Sequence, residues 1–243
     1  MSEVGPRDDA TGAVRVRKLS IIVPVFNERS TVAEIVRRMR SVDLPVDREI
    51  LIVDDGSDDG TAAVLTQLGD STVRVLKHPS NRGKGAAIRT GLENATGDLV
   101  LVQDADLEYD PDDWPRLLAP VLKGRARVVY GSRFTGERRN MLFLHWVGNR
   151  FLSLVTNMLY NSTLSDMETC YKLFDPHVLD GVRLEADRFD FEPEFTAKVL
   201  RKGIRIYEVP ISYAGREPNE GKKITWHDGV VALWTLVKYR FVD

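Results

Sequence analysis

The stretch Val100-Leu-Val-Gln-Asp-Ala-Asp-Leu-Glu-Tyr109 decides how the rest of the chain is read, because a short apolar run stops there in three acids. Leu99 to Val102, all valine and leucine, reads as a buried strand. If the chain stays extended beyond it, Asp104, Asp106 and Glu108 alternate and point to one side. Like charges repel, and each carboxylate beside a buried strand loses hydration, so such a cluster needs a compensating partner. A divalent cation removes both penalties, and hard oxygen ligands suit Mg²⁺ or Mn²⁺. A solvated acidic loop is the other reading of the pattern.

The flanking sequence repeats the same punctuation. Leu19 to Val25, Glu49 to Val53, Val73 to Leu76 and Val128 to Tyr130 are further short apolar runs. Between them Thr31 to Arg40 carries helical spacing (Val32, Ile35, Val36, Met39), and Thr61 to Leu68 and Ala86 to Ala95 read as helices. Alternating strands and helices predict an α/β fold, a mostly parallel sheet with helices on both faces. Ligands of such sheets bind beyond the carboxyl ends of the strands. The polar clusters Asn27/Glu28, Asp54/Asp55, Arg82/Lys84, Asp104/Asp106/Glu108 and Arg133 all lie at such ends, a placement random loops would not produce.

The second half is less regular. Met141 to Leu164 suggests one or two amphipathic helices, and Asp166 to Phe174 a loop entering a strand. Phe189 to Glu194 opens a helix, with Pro193 and acids suited to its first turn. Ile204 to Val209 is a strand, Arg216 to Lys223 a charged loop, and Trp226 to Phe241 a final amphipathic helix. Met1 to Arg17, polar and without period, reads as a disordered tail before a single domain over 18–243.

Composition narrows the function. With 43% hydrophobic residues the chain can bury a full core, and a formal charge of −2 argues against a general nucleic-acid binder. The single cysteine, Cys170, excludes an intramolecular disulfide and a cysteine-rich metal site. The four histidines show no metal-ligand spacing and read as structural or exposed. No stretch is long and apolar enough for a signal core or a bilayer span, so a cytoplasmic protein is expected.

Pro24-Val-Phe-Asn-Glu28, Asp54-Asp-Gly-Ser57, Asn81-Arg-Gly-Lys-Gly85 and Asp104-Ala-Asp106, in this order at successive strand ends, resemble the family 2 glycosyltransferases of the GT-A (Rossmann-like) fold. Gly131-Ser-Arg133 and the tail Arg216 to Ile224 are similar to the polyprenyl-phosphate (dolichol-phosphate) sugar synthases of that family. The resemblance covers Ser20 to about Ile224 and divides the chain into a nucleotide-binding half, about 18–135, and an acceptor half, about 136–243. It implies donor contacts from Pro24, Phe26, Glu28, Asp55, Lys84, Asp104, Ala105 and Asp106. Phe26 stands where many members have tyrosine. Helix capping ahead of Thr61 is the other reading of Asp54 and Asp55, a task Ser57 or Asp58 could take instead; the Asn81-to-Gly85 turn places Arg82 or Lys84 near the donor by resemblance and also reads as a tight strand-to-helix connection. The implied metal ligands are Asp104 and Asp106, with Glu108 where related synthases often carry glutamine. Arg133, Arg150 and Lys223 (or Lys222) match basic residues that face the acceptor phosphate. Arg216 reads equally well as a solvated charge.

The resemblance implies a metal-dependent, inverting transfer of a sugar from a nucleotide donor (GDP-mannose or a UDP-hexose or N-acetylhexosamine) to polyprenyl phosphate. Asp104, Asp106 and Arg133 are the implied catalytic set. A lipid phosphate is already an anion and needs cations to hold it rather than a base. A hydroxyl acceptor would instead need Glu192 or Glu194 as base, and a non-catalytic relative keeping the fold is a third reading. Asp166 and Glu168 are placed to hydrogen-bond sugar hydroxyls or to serve the fold. Met141 to Trp146 and the helix after it (Phe151, Leu152, Val155, Met158, Leu159) either lie at the bilayer surface or pack on the sheet. A peripheral protein on the cytosolic membrane face is expected, with a small membrane-protein partner docked on Trp226 to Phe241.

Overall fold

The structure, a computed structural model, describes residues 16–139, 141–216 and 226–242. The expected tail therefore falls, but for its last two residues, outside the described residues. Strands β1 (Lys18–Val25), β2 (Asp47–Asp54), β3 (Val73–Lys77), β4 (Leu99–Val102), β5 (Val128–Ser132), β6 (Lys172–Phe174) and β7 (Tyr207–Pro210) form one seven-stranded sheet in the order β3-β2-β1-β4-β6-β5-β7. All pairings are parallel except those of β6, which runs antiparallel to both β4 and β5. Parallel neighbours need a crossover, and helices supply it. Val25 pairs with Asp54 and Ile22 with Val102, so Pro24 to Glu28, Asp54–Asp55 and Gln103–Asp104 leave the sheet at the same rim.

Helices α1 (Val32–Ser41), α2 (Thr61–Leu68), α3 (Lys84–Asn94), α4 (Trp114–Leu122), α5 (Phe143–Tyr160), α6 (Phe191–Arg201) and α7 (Trp226–Phe241) complete the order. In α1 the expected stripe Val32, Ile35, Val36 and Met39 is the buried face. At the start of α3, Gly83 has φ +100° and a Cβ there would collide with the Asp187 carbonyl. Glycine lets the 186–188 segment lie across this helix start, where the Arg188 and Asp187 carbonyls accept from Gly85 and Ala86 N–H. α4 adds a helix to the expected order. Pro115 sits in its first turn, where no intrahelical donor is needed, and Trp114, Leu117, Leu118 and Val121 anchor it despite Pro120.

The main core lies between the sheet and its helices, and a small second cluster of Leu152, Met167, Ala232 and Leu236 joins α5 to α7. Here the structure decides which side of each helix is covered. α7 buries Ala232, Thr235, Leu236 and Tyr239, whereas Val230, Trp234 and Phe241, which look core-facing by period, are exposed. In α5, Leu152 is buried but Phe151 and Met158 are exposed. On these helices Leu152, Leu236 and Tyr239 are buried along with small and hydroxyl-bearing side chains, while Phe151, Met158, Trp234 and Phe241 are left outside.

Gln103, fully buried directly after β4, holds three elements together. Its Oε1 accepts from Trp114 Nε1 at 3.0 Å and from Tyr171 Oη at 2.6 Å, while Nε2 donates to the Asp104 carbonyl at 3.0 Å. Replacing it with leucine strands two buried donors, each at about 1–3 kcal/mol. Gln103→Leu is expected to lower unfolding free energy by about 2–4 kcal/mol in urea titrations.

Candidate active site

The acidic stretch is built differently from the extended arrangement expected. β4 ends at Val102, and the chain then turns, with Leu107 held at φ +65°. A bulky residue in the left-handed region is costly, and such strain gathers at functional sites. The turn, rather than the pleat of a strand, brings Asp104 and Asp106 together. Asp106 Oδ1 accepts from Glu108 N at 3.2 Å. Burial, then the neighbouring Asp104 and Glu108, push the Asp106 carboxyl up to about 7, with Arg216 pulling the other way.

Glu108 departs from its expected role as a ligand. Its Oε2 accepts from Tyr213 Oη at 2.8 Å and its Oε1 from Arg216 N at 2.7 Å, which fastens the 213–216 segment over the acidic turn. Among the described residues, no group of three acidic, histidine or cysteine side chains is arranged to hold a metal ion. Asp104 and Asp106 still fit a divalent cation as a pair of hard, mutually repelling carboxylates. Mg²⁺ commonly takes one or two carboxylates and completes its shell with water and phosphate oxygens.

Two cations from distant parts of the chain balance this charge. Lys84, at the first turn of α3, reaches Asp104 Oδ1 at 2.9 Å and Glu192 Oε1 at 2.8 Å. Burial opposes its charge, but Asp104 and Glu192 outweigh it and raise its pKa well above the ordinary value. Arg82 instead contributes its backbone N–H to Asp55 and exposes its side chain. Arg216 Nη2 lies 2.9 Å from Glu28 Oε2, and its Nε donates to the Asp106 carbonyl at 2.9 Å. Arg216 is thus a bridge between the ends of β1 and β4, not a solvated charge.

Pro24 and Phe26 are half-buried and Glu28 and Ala105 buried at this rim. Asp55 is buried too, and both its oxygens are engaged. Oδ1 accepts from Arg82 N at 2.9 Å and meets His78 Nδ1 at 2.6 Å, and Oδ2 accepts from Gly83 N at 2.7 Å. Its role here is to shape the turn that carries Lys84.

Arg133, expected to face a phosphate, is bound bidentate to Asp166, with Nε to Oδ2 and Nη2 to Oδ1 both at 2.7 Å. Asp166 is fully buried and committed to this pair, which removes it as a sugar contact. Arg133 and Arg150, grouped by the sequence reading, do come together, and Arg138, which motif reading missed, joins them. The guanidiniums of Arg133, Arg138 and Arg150 lie 5.9, 5.5 and 5.5 Å from the centre of the Phe134 ring. Arg133 Nη2 also donates to Asn149 Oδ1 of α5 at 3.2 Å. Lys223 and Lys222 lie outside the described residues. Glu194 accepts from the backbone N–H of Glu185 and Ala186 and from Lys198 Nζ at 2.6 Å, so it serves the fold, while Glu192 faces Lys84.

The family model described as "Glycosyl transferase family 2" matches residues 20–182. Over 216 residues the chain is 32% identical to an undecaprenyl-phosphate 4-deoxy-4-formamido-L-arabinose transferase from Enterobacter sp., a match covering 85% of this chain and 63% of that one. The same-named transferase of Klebsiella pneumoniae is 29% identical over 213 residues, again with 63% of its length covered. The chain thus spans less than two thirds of these relatives. Glucosyl-3-phosphoglycerate synthase from Mycobacterium tuberculosis, solved with Mn²⁺, UDP and glucosyl-3-phosphoglycerate, superposes with a TM-score of 0.72 at 20% identity, covering 93% of this chain and 81% of that one. The same enzyme has been solved with Mg²⁺ and UDP, with a TM-score of 0.70. The likeness bears out the expected GT-A fold.

The Asp106 carboxyl titrates higher in the folded chain than the ordinary value of 3.8. The folded protein therefore holds that proton more tightly, and stability falls as pH rises from about 4 to about 7. In EDTA at pH 8, Asp106→Asn is expected to raise the melting temperature by a few degrees. A lower melting temperature would show that the repulsion is already relieved.

Proposed function

Because the chain belongs to glycosyl transferase family 2, we propose that it transfers a sugar from a nucleotide-sugar donor to polyprenyl phosphate at a membrane surface, with inversion at the anomeric carbon. The observation that carries this reading is an apolar face joined to a basic site. Phe143 is 73% exposed, Leu144 79% and Met158 77% on α5, and Trp226 is 74% and Trp234 65% on the adjoining α7. Isolated exposed apolar side chains are ordinary, but a face of this size on two packed helices marks an interaction surface. It meets the arginine cluster through Asn149 and Arg150. A polyprenyl phosphate has the matching shape, an apolar chain ending in an anion. The curated relatives are named for a lipid phosphate of this kind.

The donor would occupy the rim lined by Pro24, Phe26, Glu28, Lys84, Asp104, Ala105 and Asp106. A Mg²⁺ or Mn²⁺ ion held by Asp104 and Asp106 would neutralise the departing diphosphate. Lys84 adds a fixed positive charge beside them. Arg138 and Arg150, with Lys223, would hold the acceptor phosphate against the repulsion of a second anion. Arg133, anchored by Asp166, positions this cluster. Glu192 is ion-paired with Lys84, an arrangement that disfavours proton removal and suits an acceptor that needs no base. The neutral-sugar donors GDP-mannose, UDP-hexose and UDP-N-acetylhexosamine are the candidates.

No helix among the described residues is long and apolar enough to cross a membrane, so the α5/α7 face would rest on the bilayer surface. Phe143→Ser together with Trp226→Ser is expected to abolish co-sedimentation with vesicles containing anionic phospholipid and to leave the melting temperature unchanged. A wild-type chain that ignores protein-free vesicles would instead indicate a small membrane protein docked on α7.

With labelled UDP-glucose, UDP-N-acetylglucosamine or GDP-mannose, Mn²⁺ and polyprenyl phosphate, label should pass into the organic phase, and EDTA should stop it. Glu192→Gln should keep kcat within about tenfold, whereas loss of a general base would cost about 10²–10⁴-fold. Label appearing only on a water-soluble hydroxyl acceptor would overturn the lipid-phosphate reading.

A further inference from the structure

His78, which follows β3 directly, is a buried imidazole that the donor and acceptor contacts above leave unused. Its backbone N–H donates to the Asp54 carbonyl at 2.9 Å, so it leaves the sheet beside the end of β2. Both ring nitrogens have partners. Nδ1 lies 2.6 Å from Asp55 Oδ1, and Nε2 lies 2.9 Å from Thr90 Oγ1 on α3. With a carboxylate as acceptor the ring proton sits on Nδ1, and Nε2 accepts from the Thr90 hydroxyl. A buried histidine satisfied in this way is ordinarily part of the core. What distinguishes this one is what Asp55 holds on its other side.

Asp55 accepts from the N–H of Arg82 at 2.9 Å and of Gly83 at 2.7 Å, the residues immediately before Lys84. The residues immediately after it, Gly85 and Ala86, donate to the Arg188 and Asp187 carbonyls. Lys84 therefore projects from a backbone gripped on both sides, and from there it reaches Asp104 at 2.9 Å and Glu192 at 2.8 Å. The grip matters because glycine flanks the lysine on both sides and Gly83 lies at φ +100°, so local sequence does not fix where that side chain points. The half of the grip that precedes Lys84 depends on His78. A carboxylate can meet two successive N–H groups only if its plane is held, and the imidazole N–H holds it. Thr90 secures the ring in turn, and it stands on the helix that Lys84 begins.

We propose that His78 is a positioning residue for the donor diphosphate, holding Asp55 so that the turn at Arg82 and Gly83 aims Lys84 at the Asp104 edge of the site. The inference rests on the nucleotide-sugar reading and deepens it. His78 touches no substrate and acts through Asp55 and Lys84. Without its Nδ1–H, Asp55 is free to rotate, the turn slackens and Lys84 drifts. A misplacement of about 1 Å is enough to be costly at such a site.

The test is calorimetry of UDP and GDP in the presence of Mn²⁺, using the full chain. Asparagine carries an N–H two bonds from Cβ, where histidine carries Nδ1, whereas the glutamine amide nitrogen lies three bonds out and corresponds to Nε2. For whichever diphosphate the wild type binds, His78→Leu and His78→Gln should each weaken it about tenfold, and His78→Asn should stay within about threefold of the wild type. In a Lys84→Met background the same changes should alter the affinity less than about twofold further, because the group that His78 positions is gone. The asparagine and glutamine variants carry the test if the leucine variant does not fold. No weakening in His78→Gln, rescue by glutamine rather than asparagine, or the same loss with and without Lys84 overturns the role of His78 and leaves the nucleotide-sugar reading standing. A wild type that binds neither diphosphate overturns the nucleotide-sugar reading as well.

Discussion

Carboxylates crowded at one rim of the sheet are the constraint on which the molecule depends. Glu28, Asp104, Asp106, Glu108, Asp166 and Glu192 cannot stand together in partly buried surroundings without positive charge between them. The chain supplies that charge from remote segments. Lys84 comes from the start of α3, Arg133 from the end of β5 and Arg216 from beyond β7. Each pairing therefore fastens one part of the fold to another. The compensation is complete for Glu28 and Asp166 and incomplete around Asp106, and that residual repulsion is what a divalent cation would relieve.

The backbone is adapted to the same end. The positive φ at Leu107 turns the acids inward, Gln103 fixes the start of that turn to α4 and β6, and Asp55 shapes the loop from which Lys84 projects. Residues whose types suggest direct ligand contact thus divide into two layers. Asp55, Glu108, Asp166 and Glu194 hold other groups in place. Lys84, Asp104, Asp106 and Glu192 remain turned towards one another across the rim.

The α5/α7 pair shows the opposite economy of surface. Its contact is made by Leu152, Ala232 and Leu236, with Thr156, Thr235 and Tyr239 also buried, and Phe143, Met158, Trp226 and Trp234 are turned out. Hydrophobic periodicity identified both helices correctly, yet it carries no sign for which side faces protein. A helix between a protein and an apolar exterior can carry large apolar side chains on both sides, so amphipathicity alone does not tell which side is covered.

Local sequence sufficed wherever structure follows from short-range pattern. The valine-, isoleucine- and leucine-rich runs of β1, β2 and β4, the stripe of α1 and the placement of polar clusters at strand ends were legible because periodicity and strand direction are properties of the chain itself. α4 was not, since Pro115 and Pro120 mask a helix that Trp114 and Leu117 stabilise only through distant contacts. Nor could the chain alone tell Asp104 from Asp55, or Glu192 from Glu194. Whether a carboxylate is satisfied by a neighbouring N–H or left facing an open rim depends on which remote segment folds against it, and only the tertiary structure decides that.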